Sequence, residues 1–399
     1  MPTMSLSQPD AASPLRNGRF VAMLLASTGL FAGFSLLVSV VPLWVVRGGG
    51  GEFAAGASTG VFMATTVLAQ LLMTGLVRRF GYRAMFIVGA LLIGAPVPLL
   101  VLSAAWQPVL AISGIRGLGF GIMTVCGSAL IAELLPAGSL GRGSGLYGIA
   151  VGLPLLVCLP ASTAIAEYTG FLPVFVAATA LPLLAIPPML VLPRGQGDTP
   201  ADDRSVTAAA ASVWRPWLPM LAGSIAFGAM VTFLPLVFAE APALGSASLL
   251  LMSATALGGR WLAGLWGDRA ASAGRMLLAG IAAVAVGLLG FAGGSGIATT
   301  TAMVLAVGCV AVYGAGFGVV QNDSLVLMFA RVSPAHASVA WNVAFDAGQG
   351  AGAVAVGAIA AATSYPVAFG ALGLFALAVL PVSARARADR PSPESRLEP

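Results

Sequence analysis

The sequence contains no lysine; all 19 of its basic residues are arginine. A Walker-type nucleotide site needs a lysine against the phosphates, so ATP hydrolysis through such a loop is excluded and an ion gradient is the expected energy source. Histidine is represented once, by His336, and cysteine three times, by Cys126, Cys158 and Cys309. Each cysteine lies in an apolar block with no histidine or carboxylate at ligand spacing, which indicates neither a metal centre nor a disulfide framework. Neither a Ser-His-Asp set nor a bound cofactor is implied, so an enzyme is not expected.

Charge is scarce as well. Only 8% of residues are charged, against roughly 25% in soluble globular domains, too few to cover a water-facing surface. What is abundant is apolar: 58% of the chain, in long blocks such as 20–46 and 276–292, each about the length a helix needs to cross a hydrocarbon core. The first block is too long for a cleavable leader and is followed by further spans, so it reads as the first of them. Glycine (51) and proline (26) are frequent, as membrane helices tolerate where neighbours re-satisfy freed backbone groups.

Apolar blocks and their breakers predict an all-α membrane protein with spans near 20–46, 54–77, 84–103, 108–135, 143–166, 171–192, 217–239, 246–266, 275–292, 299–329, 337–361 and 365–383. Residues 1–19 and 384–399 read as tails. Residues 193–215, with Asp198, Asp202, Asp203 and Arg204, read as a polar linker between a six-helix bundle at 20–192 and another at 216–383. With the N-terminus inside, Arg16, Arg19, Arg78, Arg79, Arg83, Arg142 and most other arginines fall in inner segments, and Arg47 alone falls in an outer loop. That asymmetry predicts an inner (plasma) membrane protein with both termini cytoplasmic. It also accounts for the net charge of +5 without a nucleic-acid partner.

The halves repeat one another. Gly117-Leu-Gly-Phe-Gly121, followed by Pro136 and Tyr168, recurs as Gly314-Ala-Gly-Phe-Gly318 followed by Pro334 and Tyr365, at a constant offset of 197 or 198 residues. A half-chain repeat marks a transporter whose two bundles rock about a midplane site.

Between the second and third spans the chain reads Gly75-Leu-Val-Arg78-Arg79-Phe80-Gly81-Tyr82-Arg83, and between the eighth and ninth Gly264-Leu-Trp-Gly-Asp268-Arg269. These segments resemble the paired cytoplasmic loop motif of the major facilitator superfamily, G-x-x-x-D-R-x-G-R-R. The resemblance covers essentially the whole chain and implies the twelve-helix, two-bundle fold, alternating access, a small-molecule cargo and a monomer in the bilayer. The first copy departs from the motif, with Arg78 where the motif has Asp. Aligning the halves pairs Arg78 with Asp268, and Glu133 with Arg331, so each half keeps one acid and one base with signs exchanged. Arg78 with Glu133, and Asp268 with Arg331, are therefore candidate latches; independent side chains reaching the interface are the alternative.

Charge within the spans points to function, because it is costly there and faces a bundle interior. Arg116, in Arg116-Gly-Leu-Gly119, is similar to the fourth-span arginine of proton-coupled superfamily members. It is read either as part of the transport path or as a strut bonded to helix carbonyls. Asp346 lies near the middle of the eleventh span with Asn342 and Gln349 on the same helical face, and is the leading candidate for a proton carrier; a neutral tie between helices is the alternative. Asp323, beside Gln321 and Asn322, ranks second and could instead pair with Arg260. Gln70, Tyr147 and Trp341 complete the candidate path, and His336 reads as a helix-start residue.

The fifth span, with Gly145, Gly148, Gly152 and Pro154, resembles the exporter motif G-x-x-x-G-P-x-x-G-G, but Leu153 separates Gly152 from Pro154 and Val157-Cys158 replaces the trailing glycines. The resulting expectation is proton-coupled export of a small organic molecule. Uptake of a small nutrient by proton symport or facilitated diffusion is the alternative, and a non-transporting membrane sensor is a third.

Overall fold

A computed structural model describes residues 14–136, 139–194, 206–269, 274–295, 299–332 and 334–388. Among the described residues, twelve helices are long and apolar enough to cross a membrane. In chain order they are Gly18–Arg47, Glu52–Met73, Gly75–Leu102, Trp106–Ile131, Arg142–Thr169, Phe171–Met189, Ala211–Val237, Pro242–Trp266, Leu277–Ser295, Thr301–Phe329, His336–Ala362 and Tyr365–Ala386. An even number of crossings puts residues 14 and 388, and residues 194 and 206, on one face, called the terminal face below; the loops near residues 48–51, 103–105, 170 and 239–241 lie on the far face, and residues 195–205 of the expected linker lie outside the described residues.

Local sequence explains where these helices start and turn. The Asn17 side chain caps the first helix, accepting from the backbone N–H of Arg19 (3.0 Å) and Phe20 (3.2 Å), as a helix N-terminus with orphan donors requires. Its amide also donates to the Leu134 carbonyl at 2.8 Å, fixing the first helix to the end of the fourth span. The first span is broken into Gly18–Ser35 and Val40–Arg47. The helical run Glu52–Gly94, which carries the second span and most of the third, is kinked at Gly81, whose φ of 77° is open to a residue without a Cβ. That places the motif glycine of the sequence at the kink itself.

Helices in lipid gain little by hiding apolar surface from one another, so close packing and interhelical hydrogen bonds must hold them. The repeated glycines supply the packing. A Cβ on Gly117 would lie 2.1 Å from the Phe62 carbonyl of the second span, and one on Gly119 2.7 Å from the Gly89 carbonyl of the third. In the other half a Cβ on Gly314 would lie 2.6 Å from the Met252 carbonyl of the eighth span, and one on Gly316 2.6 Å from the Gly280 carbonyl of the ninth. The same triplet thus seats the fourth and tenth spans against equivalent neighbours, and the two six-helix bundles are pseudo-symmetric. Each has its own apolar core, one around Phe86, Met73 and Ile93, the other around Phe233, Phe291 and Phe317.

Candidate functional site

The two halves meet along the second and eleventh spans, which run antiparallel. Starting at the far face, a Cβ on Gly357 would lie 2.6 Å from the Glu52 carbonyl, one on Gly56 2.2 Å from the Ala353 carbonyl, and one on Gly350 2.8 Å from the Met63 Cβ. The last rung of this ladder is polar: Gln70 Nε2 donates to Asp346 Oδ2 at 2.6 Å. Other contacts across the halves are the Ser39 hydroxyl donating to the Val231 carbonyl, the Thr59 and Thr232 hydroxyls at 3.1 Å, and the Thr163 and Ser246 hydroxyls at 2.9 Å. All lie between mid-depth and the far face. Towards the terminal face the fifth-span glycines Gly145, Gly148 and Gly152 have no neighbour within 4 Å of where a Cβ would stand. The halves are closed on the far face.

Asp346 is 2% exposed and takes its one hydrogen bond among the described residues from Gln70, on the opposite half. Gln70 Nε2 donates also to Thr124 Oγ1 at 3.2 Å, and the Thr124 hydroxyl in turn donates to the Gly121 carbonyl at 3.0 Å. Gln70 Oε1 is buried without a partner. One turn further along the eleventh span Gln349 is buried, and neither Oε1 nor Nε2 has a partner. Asn342 donates to the Ser338 carbonyl of its own helix at 2.9 Å.

Arg116 is 3% exposed. Its Nε donates to the Ile93 carbonyl at 3.2 Å and Nη2 to the Gly33 carbonyl at 3.4 Å, and the guanidinium lies 5.5 Å from the Phe62 ring centre. Tyr313, which precedes Gly314 as Arg116 precedes Gly117, donates its hydroxyl to the Gly223 carbonyl at 3.0 Å. In both halves a polar side chain at the same repeat position braces the first helix of its bundle through a glycine carbonyl. Arg116 therefore has the bonds of a strut while also lining a narrow cleft with Ser58, Thr59 and Ser113.

The second-ranked acid stands elsewhere. Asp323 accepts from the Met276 backbone N–H at 2.8 Å and from Asn322 Nδ2 at 3.1 Å, within one half. Arg260 does not join it: it donates to Gln321 Oε1 at 3.3 Å and lies 5.7 Å from the Trp341 ring centre. Trp341 donates to the Gln321 carbonyl at 3.1 Å and stacks on Phe345 at 5.4 Å. Tyr147 packs its ring against Gly127, and His336 falls in the first turn of the eleventh helix.

Of the gate candidates, Arg78, Arg79 and Glu133 are exposed and Arg83 and Gly264 half-buried. No ion pair joins Arg78 to Glu133 among the described residues. Arg331 donates to the Leu327 carbonyl at 2.9 Å and the Ala386 carbonyl at 2.5 Å. The side chains of Asp268 and Arg269 lie outside the described residues. An ion pair absent from the sequence reading, Arg47 with Glu167 at 2.7 Å, lies on the far face.

Two pseudo-symmetric six-helix bundles, joined along the second and eleventh spans, form the fold of secondary transporters that work by alternating access. The chain belongs to the Major Facilitator Superfamily, whose family model matches residues 23–341, and is a multi-pass membrane protein. No curated protein matches it by sequence. Among solved structures it is similar to the xylose transporter XylE from E. coli in a partially occluded inward open conformation, with 15% identity, a TM-score of 0.73, and 93% of this chain and 98% of that one covered. It is also similar to an occupied, inward-facing bacterial homolog of the human lysosomal transporter Spinster (15% identity, TM-score 0.73, 96% and 100% covered). A third similar structure is the nucleoside transporter NupG, in a mutant form (14% identity, TM-score 0.71, 92% and 99% covered).

Proposed function

We propose that the chain exports a small organic molecule in exchange for protons, with Asp346 as the proton carrier. The observation that carries this reading is the position of Asp346: a buried carboxylate at mid-depth, on the boundary between the two halves, bonded to one half while belonging to the other. A carboxylate there is ionised at a cost unless the halves part and admit water, so its charge and the conformation of the transporter are tied together. Asp323 accepts from the Met276 backbone N–H within its own half.

The positive-inside distribution orients both termini to the cytoplasm, which makes the conformation described here inward-facing and the location the inner membrane. The working unit in this reading is a monomer. The cargo is a neutral or amphipathic molecule, because a polyanion would require several basic side chains along the path and Arg116 is the one in the cleft. Nutrient uptake by proton symport is the second reading, favoured by the fifth-span residues Leu153, Val157 and Cys158, which interrupt the exporter pattern.

The test begins with a screen for compounds that raise the thermal stability of the purified protein, since a ligand of the folded state does so in proportion to its occupancy. Hits are then followed in proteoliposomes under an imposed proton gradient. Export coupled to protons predicts cargo moving against the proton flow. Movement with the proton flow supports symport, and indifference to the gradient overturns coupling.

A further inference from the structure

Gln70 has one amide hydrogen on Asp346 Oδ2 (2.6 Å), the other on Thr124 Oγ1 (3.2 Å), and an oxygen that is buried and unbonded. An ionised carboxylate carries acceptors alone and has nothing to offer that oxygen. A protonated Asp346 carries a hydroxyl donor, the one group the Gln70 oxygen lacks. An acid and an amide then close two complementary hydrogen bonds, where carboxylate and amide close one. Resting on the reading of Asp346 as proton carrier, we propose that Gln70 is the positioning residue that converts the protonation of Asp346 into closure of the far face.

The location makes the conversion mechanical. Gln70 belongs to the second span and Asp346 to the eleventh, the two helices whose close rungs at Gly56, Gly350 and Gly357 hold the far face shut. A second bond at the polar rung strengthens that closure; loss of the proton returns the pair to a single bond and leaves a buried charge that water must reach. The proton comes from solvent and returns to solvent, and no bond other than the acid O–H is made or broken. Protonation therefore favours the conformation closed on the far face, and ionisation favours its opening.

The charged and titratable groups on this stretch and on the elements packed against it are Glu52 on the second span, Arg78, Arg79, Tyr82 and Arg83 on the third, Arg116, Cys126 and Glu133 on the fourth helix, Arg215 on the seventh, Cys309, Tyr313 and Asp323 on the tenth, His336 on the eleventh, and Tyr365 and Arg385 on the twelfth. None of them forms an ion pair or hydrogen bond with Asp346 among the described residues.

The proposal is tested by the distance between the halves on the terminal face, measured between spin labels at Ala84→Cys and Val339→Cys, both exposed, in full-length protein in lipid nanodiscs with the three native cysteines replaced by alanine. As pH falls, the population parted on the terminal face should grow by about two- to tenfold relative to the other, the scale of one neutral buried hydrogen bond. Asp346→Asn, whose amide completes the same pair without a proton, should hold the parted population at every pH. Gln70→Leu should shrink the pH response to the part that comes from burying the Asp346 charge, because the second hydrogen bond is gone while Asp346 still ionises. A wild-type pH response in Gln70→Leu, together with its loss in Asp346→Asn, overturns the role of Gln70 and leaves the proton carrier standing. A wild-type response in Asp346→Asn overturns both. Circular dichroism and a monodisperse elution profile identify variants that have failed to fold, and for such a variant Gln70→Met and Asp346→Ser are read in their place.

Discussion

The rung at Gly56 gives the account a perturbation whose size can be worked from the structure. An ideal Cβ on Gly56 would stand 2.2 Å from the Ala353 carbonyl oxygen and 2.9 Å from its carbon, both backbone atoms of the opposite half, well inside the ~3 Å below which a carbon is not found against another heavy atom. Neither atom is a flexible side-chain end, so Gly56→Ala must push the two halves apart on the far face. Overpacking of this kind costs about 1–3 kcal/mol, which corresponds to a shift of about 5–150-fold in the ratio of far-closed to far-open protein. Each bundle is untouched, and alanine is the better helix former, so folding itself should hold. Gly148→Ala is the control, because a Cβ there meets nothing within 4 Å. The assay is the rate at which a thiol reagent modifies a cysteine at Thr59, a buried residue whose hydroxyl meets Thr232 of the opposite half, when the reagent is added from the far side of proteoliposomes. Gly56→Ala should raise that rate in proportion to the population shift and Gly148→Ala should leave it unchanged. Equal rates in wild type and Gly56→Ala would refute the claim that these helices carry the closure.

Tyr313→Phe removes the hydroxyl that braces the Gly223 carbonyl and should lower unfolding stability in detergent by about 0.5–1.5 kcal/mol, the net worth of one buried hydrogen bond. Asp268→Arg should slow cargo turnover in proteoliposomes, and adding Arg331→Asp should restore part of it if the two act as a latch; strict additivity of the two defects shows that they do not. Arg47→Gln should change stability by less than about 1 kcal/mol, because its pair with Glu167 is partly solvated, with side chains 49% and 30% exposed, and such pairs contribute little.

Spans and their repeat were legible because lipid imposes a long apolar run on each crossing and because the glycines that seat the fourth and tenth spans cannot be replaced without clash. The kink at Gly81 was legible for the same reason, a conformation open to glycine. The equivalence of Arg116 and Tyr313 was hidden, since two unlike side chains do one task and a comparison of residue types passes over them; alignment of the repeat at the adjoining glycines was the signal that could have found it. The bond between Gln70 and Asp346 joins residues 276 positions apart, and helical spacing reports only which residues share a face. Asp346 was singled out for its depth, whereas the side chain that reads it was visible merely as a polar residue in the second span. Arg260 reaches a glutamine and an indole rather than Asp323. Arginine's several donors make such partners as accessible as a carboxylate, which is why charge pairs proposed from sequence positions need the fold to judge them.

The central claim is that Asp346 couples proton movement to cargo movement. It is tested most directly by comparing wild type with Asp346→Asn in proteoliposomes, measuring in the same preparation the exchange of labelled for unlabelled cargo without a gradient and the accumulation of cargo driven by a pH difference. Asparagine keeps the shape and the bond to Gln70 but carries no proton, so the account predicts that exchange persists while gradient-driven accumulation falls to the level of protein-free liposomes. Accumulation at the wild-type level in Asp346→Asn would contradict it.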